Sequence, residues 1–159
     1  MRNMNEKPQN GFTTLELMIV LTVFGLMIAA SWGSLSGMLN QHRLTGATNQ
    51  VATHLRLARE KAVSEGNNYI VTFRVAQNDY QVWDDEGSDS ILGPDDIRRT
   101  FPLPAQTVVQ NAAFFGANRV IFRPDGTCNA TGSVEVANSE FRRQINVLAS
   151  TGKITVTTP

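Results

Sequence analysis

One carboxylate constrains this chain more than any other residue. Glu16 stands near the start of Phe12–Ala30, a stretch otherwise free of charge and built mainly from Leu, Ile, Val, Met, Phe and Ala. As a helix, a run of that length matches the hydrocarbon core of a bilayer. A carboxylate inside lipid is costly to hold ionised, so an acid in such a segment points to a function and to a cationic partner. Cleavage between Gly11 and Phe12 would create that partner. The new α-amino group of Phe12 lies four residues before Glu16, within reach of the Glu16 of a neighbouring subunit.

Two simpler readings compete. Arg2 and Lys7 give the basic start of an ordinary secretory signal, and Ala29-Ala30-Ser31 offers a small-residue cleavage site. The apolar run exceeds the roughly 7–15 residues of a signal core, however, and Glu16 interrupts its beginning. A plain single-pass anchor fits the length but gives no reason for Glu16. In every anchored reading, Arg2 and Lys7 favour the cytoplasmic side and place the bulk of the chain outside the cytoplasm.

Residues 1–11 are polar and aperiodic, as a removable leader would be. From Phe12 a helix is predicted to about Ser64, roughly 80 Å at 1.5 Å per residue. Its second half carries Leu35, Leu39, Leu44, Ala47, Val51, Leu55, Ala58 and Ala62 at helical spacing, opposite Gln41, Arg43, Asn49, Gln50, Arg56, Arg59 and Glu60. That amphipathic pattern predicts one covered face. Gly33 and Gly37 mark a soft region in the helix, and Gly66 is its C-cap. Beyond Gly66 the period becomes strand-like. Tyr69–Val75 and Tyr80–Trp83 flank Gln77-Asn78-Asp79 as a hairpin. An acidic loop spans 84–96, and further strands are expected at 107–110, 119–122, 133–136, 142–148 and 153–157. Turns are expected at Pro124-Asp125-Gly126 and Ser150-Thr151-Gly152. The expected architecture is α+β: a long N-terminal helix, transmembrane in its first half, packed on an antiparallel β-rich domain. The segments are a leader (1–11), an apolar helix (12–31), an amphipathic continuation (32–66) and a β-rich domain (67–159).

The run Gly11-Phe12-Thr13-Thr14-Leu15-Glu16 before an apolar helix resembles the N-terminus of type IV pilins and type II secretion pseudopilins. Gln50–Gly66, Val120–Thr127 and Ile145–Thr155 resemble the soluble part of the GspH/FimT family of minor pilins and pseudopilins. The resemblance implies a pilin fold, cleavage by a prepilin peptidase after Gly11, N-methylation of Phe12, and a filament-assembly role for Glu16. It implies a single-pass inner-membrane protein with its C-terminal domain in the periplasm. An inner-membrane assembly platform would then pass it into a filament with other pilins or pseudopilins. The implied work is structural: to prime, cap or join a type IV pilus or a type II secretion pseudopilus.

The residues themselves suggest no enzyme and no cofactor. His42 and His54 stand about 18 Å apart along a helix, too far to share a metal. Neither a phosphate-binding glycine loop nor an HExxH or GxSxG motif occurs. Cys128 is the single cysteine, so no intrachain disulfide forms. It reads as a buried or half-buried strand residue. Formal charge is 0, and loss of Arg2, Glu6 and Lys7 with the leader moves it to −1. No global basic excess therefore marks nucleic acid as an obligatory partner. Two local clusters remain candidates. Asp84, Asp85, Glu86 and Asp89 supply hard oxygens of the kind Ca²⁺ takes, although their spacing fits no EF-hand. Arg119, Arg123, Arg142, Arg143 and Lys153 are candidate DNA contacts. The family resemblance implies this alternative, a DNA-binding minor pilin for natural transformation, through a C-terminal Gly-Arg-x-Arg turn. Here that turn reads Gly152-Lys153-Ile154-Thr155 and keeps one cation of the two. The strand alternation sends Arg142 and Arg143 to opposite faces.

Overall fold

The computed structural model describes residues 12–86 and 97–158, with backbone only over 31–35. The leader, 1–11, lies outside the described residues. One helix, α1, runs Thr14–Glu65. Eight strands follow: β1 (Asn68–Arg74), β2 (Asp79–Asp85), β3 (Arg98–Pro102), β4 (Val108–Phe114), β5 (Arg119–Phe122), β6 (Gly132–Ala137), β7 (Arg142–Leu148) and β8 (Lys153–Thr157). The chain divides into two units, residues 1–37 and 38–159.

In the first unit the described side chains of α1 are exposed, Leu, Ile, Val, Met and Phe alike. In the second, the continuation of α1 buries Leu44, Ala47, Thr48, Val51, Ala52, Leu55, Ala58 and Ala62. The stripe from Leu44 to Ala62 is thus the covered face that the spacing predicted. Leu39 is a correction: it follows the same spacing yet remains exposed. The buried face is rich in alanine, which lets the helix axis approach the strands closely. Thr48 is satisfied by donating its hydroxyl to the Leu44 carbonyl at 2.7 Å, so its burial strands no polar group. The helix ends at Gly66, whose φ of 76° only glycine adopts without strain, and whose N–H donates to the Ala62 carbonyl at 3.1 Å.

The strands form two antiparallel four-stranded sheets, ordered β3-β2-β1-β5 and β4-β6-β7-β8. The β1–β2 hairpin pairs Arg74 with Asp79 and Asn68 with Asp85. A short 3₁₀ turn, Val75–Gln77, and a left-handed Asn78 close it. Asn78 also donates its side-chain amide to the Thr107 carbonyl at 2.7 Å and accepts from the Val109 N–H at 2.9 Å. One side chain therefore ties the hairpin of one sheet to the first strand of the other. Both sheets and α1 share one core, in which Phe73, Tyr80, Phe114, Phe122, Val134 and Ile145 are fully buried.

Three expectations are corrected. Strand β3 was not foreseen; its residues follow the acidic segment and read as loop. It pairs with β2, setting Arg99 opposite Val82 and Arg98 opposite Trp83. The strand expected at 107–110 begins one residue later and continues to Phe114, after Gln106 takes a φ of 67°. Cys128 is buried as expected but lies outside the strands, bridging to Phe122.

Candidate functional site

The N-terminal candidates lie on the first turn of α1. Thr13 caps the helix: its hydroxyl accepts from the Glu16 N–H at 3.2 Å, and its carbonyl from the Leu17 N–H at 3.2 Å. Thr13 and Glu16 have the spacing of a capping box, in which Glu occupies the third helical position. Its negative charge there also suits the positive end of the helix dipole. Sequence reading singled out Glu16 for its charge and passed over Thr13, although the Thr-x-x-Glu spacing is a visible signal. Phe12 is 82% exposed, and the apolar side chains to Ile28 project all round the helix. A helix apolar on every side is stable only where something covers it. Among the described residues no helix is long and apolar enough to cross a membrane. The described side chains of the apolar stretch end at Ala30, at the short end of the roughly 17–25 residues a span requires. Gly11 lies outside the described residues.

The acidic candidates divide between two faces. Asp84 and Asp85 are adjacent on β2, so their side chains point to opposite sides of the sheet. Asp84 accepts the Tyr69 hydroxyl at 3.1 Å. That hydroxyl also reaches Glu65, which in turn accepts from Lys61 Nζ at 2.9 Å. Burial and these two carboxylates push the Tyr69 phenol well above its ordinary value, so it stays a proton donor. Asp84 thus joins the end of α1 to β1 and β2. Among the described residues no three His, Cys, Asp or Glu side chains stand together as a metal would require. Asp89 lies outside the described residues.

The basic candidates are spread over both sheets, although Arg142 and Arg143, expected on opposite faces, line one groove with Gln41 and Phe141. Arg119 opens β5 opposite Thr72 in the first sheet. Arg142 and Arg143 open β7 in the second sheet, while Lys153 pairs with Leu148 at its far end. Six residues of strand separate Arg142 from Leu148, roughly 20 Å at 3.3 Å per residue. Arg142 is also engaged by Glu135 at 3.4 Å. Lys153 instead shares a shallow pocket with Arg56 and Arg59 of α1, two cations read from sequence only as part of a polar helix face. Arg123 precedes the neighbouring turn at Gly126. Arg59 donates from Nε to the Gly126 carbonyl at 3.0 Å and so holds that turn against the helix.

His54, considered from sequence only as a possible metal ligand, is held by contacts across the fold. It is half-buried, with its ring 4.2 Å from that of Phe101 and its Nδ1 2.6 Å from the Tyr80 hydroxyl. Burial lowers its pKa, and the neutral ring shares a hydrogen bond with the Tyr80 hydroxyl. Beside it lies a cleft of about 350 Å³, walled by α1 on one side and by Tyr69, Val82, Ile97 and Phe101 on the other. Sequence spacing puts His54 next to Leu55 and Ala58, so its nearness to the buried stripe was a usable signal. Cys128 donates weakly to the carbonyls of Ala130 and Leu148, and burial raises its thiol pKa, so it is a packed residue.

Comparison with known proteins follows the same division of the chain. A family profile described as prokaryotic N-terminal methylation motif matches residues 7–32. One described as type II transport protein GspH matches residues 47–152, more than half of the chain. Among solved structures, the minor pseudopilin EpsH of the Vibrio cholerae type 2 secretion system superposes with TM-scores of 0.56 and 0.58 in two determinations. These share 12% and 9% identity, over 72% and 76% of this chain and 95% and 99% of theirs. The type IV minor pilin FimU of Pseudomonas aeruginosa gives 0.57 at 16% identity, over 75% of this chain and 94% of its own. No curated protein matches significantly. With the fold shared and the profile covering the last turns of the helix and β1 to β7, the chain belongs to the GspH family of pilin-like minor pseudopilins and pilins.

Proposed function

We propose that this chain is a structural subunit of a type II secretion pseudopilus or a type IV pilus. In this reading a prepilin peptidase cuts it between Gly11 and Phe12, and the Phe12 amine is methylated. Residues 12–30 hold it in the inner membrane, with the β-rich domain in the periplasm, until an assembly platform moves it into a filament that it primes, caps or joins. The observation that carries the reading is the uncovered apolar helix from Phe12 to Ala30 with a single carboxylate on its first turn. Lipid covers such a helix first, and the helices of neighbouring subunits cover it afterwards. Area removed from solvent in either state stabilises by about 25 cal/mol per Å². Glu16 then pairs with the Phe12 amine of a neighbour and sets the axial register.

Two measurements test this. Protein recovered from membranes that contain the peptidase is expected to begin at Phe12 and to be heavier by one methyl group. A chain beginning at Met1 or near Ser31 overturns the reading. Glu16→Ala is expected to leave folding and cleavage intact while reducing filament incorporation roughly a hundredfold or more, because an unpaired buried charge costs about 3–5 kcal/mol. Normal incorporation of that variant removes Glu16 from the mechanism.

A further inference from the structure

The turn joining β4 to β5 presents an aromatic knob. Phe115 and Gly116 are its two central residues, and both have positive φ, 47° and 82°. Phe114 and Ala117 exchange backbone hydrogen bonds on either side, at 2.9 and 3.1 Å. This is a two-residue hairpin turn of the kind that favours Asn, Asp or Gly at its first central position. A bulky residue with left-handed backbone is a true outlier, and such strain is concentrated at functional sites. Phe115 is also 95% exposed, whereas its neighbour Phe114 is buried. Neither local backbone preference nor the core of this chain accounts for a phenylalanine at this position.

The same fold carries a receptor of matching chemistry. The cleft beside His54 is lined by Leu57, Ala58, Tyr69, Ile97 and Phe101, among others, and its volume of about 350 Å³ exceeds the roughly 150 Å³ that admits a benzene ring. Knob and cleft lie at opposite edges of one sheet. The cleft adjoins β3, and the knob leads into β5, with β2 and β1 between them. They also lie toward opposite ends of β1, since Tyr69 lines the cleft while Phe73 bonds Asn118 beside the hairpin. A chain therefore cannot seat its own Phe115. Complementary patches at opposite edges make a head-to-tail contact between copies, the kind that builds a ring or an open filament.

We propose that Phe115 seats in the His54–Phe101 cleft of a second copy of this chain. The inference rests on the assembly reading, for which it names one side-by-side contact. In the full chain, p-benzoylphenylalanine in place of Phe115 keeps the aromatic knob and makes it photoreactive. In cells that carry two differently tagged copies and prepilin peptidase, irradiation is expected to join the tags, with the adduct mapping to residues 54–61 or 97–101. Leu57→Glu in the acceptor copy changes a 46%-exposed wall residue. It is expected to lower the adduct yield roughly tenfold, the effect of about 1.4 kcal/mol. Phe115→Asn is expected to lower co-purification of the two tags roughly tenfold, the effect of about 1.4 kcal/mol, while its thermal midpoint holds or rises, because Asn suits the turn. Absence of an inter-copy adduct, an adduct elsewhere, or unchanged co-purification of Phe115→Asn overturns the contact. If the chain is still cut before Phe12 and incorporated, the assembly reading survives that failure. Inter-copy adducts in uncut chain would keep the contact and remove the assembly reading.

Discussion

Burial holds His54 neutral against the Tyr80 hydroxyl, and that has a consequence for stability. A base whose folded pKa lies below its unfolded value binds fewer protons in the native state. Its stabilising contribution is complete above the unfolded value of about 6.5 and is lost as pH falls below it, toward the lowered folded pKa. The cleft beside it also holds Lys61, Glu65, Asp84 and Arg99. Glu65 is held below the ordinary carboxylate range, chiefly by the Tyr69 hydroxyl and then by Lys61, so any loss from its protonation falls at more acid pH. The thermal midpoint is therefore expected to fall between pH 7 and 5, and His54→Gln, which keeps a hydrogen-bonding group toward Tyr80 without titrating, is expected to flatten that segment. An unchanged slope in His54→Gln would assign the acid sensitivity to another group. Sequence alone showed Glu16 as the exceptional charge, because its apolar surroundings are contiguous in the chain. It did not show His54 as buried, because the residues that bury it, Tyr80 and Phe101, come from strands far along the sequence.

Elements were legible where burial imposes a regular period. The stripe Leu44–Ala62 and strands β1, β5, β6, β7 and β8 carry that period and follow the expectation to within about two residues. Strand β3 does not, since Arg98, Arg99 and Thr100 are all exposed and only Phe101 is half-buried. An edge strand needs little apolar patterning, and exposed arginines there discourage pairing with another sheet. Turns were legible through glycine, but their mutual packing was not. Gly126 and Gly152 both have positive φ, and a Cβ on Gly152 would meet the Gly126 carbonyl at 2.4 Å and Arg59 Nε at 2.7 Å. Two turns distant in sequence are thus pressed together under one arginine of α1. Gly152→Ala is expected to destabilise by about 2–4 kcal/mol, since it combines left-handed strain with a backbone clash. Arg59→Ala removes one hydrogen bond and is expected to cost about 1 kcal/mol. Denaturant midpoints measure both, and a Gly152→Ala effect no larger than that of Arg59→Ala would show that the turns separate easily.

At the scale of the whole molecule, the chain joins two kinds of surface chemistry on one helix. Each core residue named above lies at or beyond Leu44, within the unit 38–159. The described side chains of 12–30 are exposed and almost wholly apolar. Folding of the β-rich unit therefore draws its hydrophobic stabilisation from its own residues, whereas the N-terminal helix must obtain its cover from outside the chain. A chain beginning at Met38 is expected to fold cooperatively and to remain dispersed in buffer without detergent. Its unfolding midpoint is expected to lie within about 5 °C of that of the full chain in micelles, a difference equivalent to roughly 1–2 kcal/mol. The full chain is expected to aggregate when detergent is withdrawn, because nothing then covers Phe12–Ala30. Circular dichroism melts and light scattering of the two chains measure these outcomes. A fragment without a cooperative transition at 25 °C would mean that the N-terminal helix contributes to the core, and that the two units fold as one.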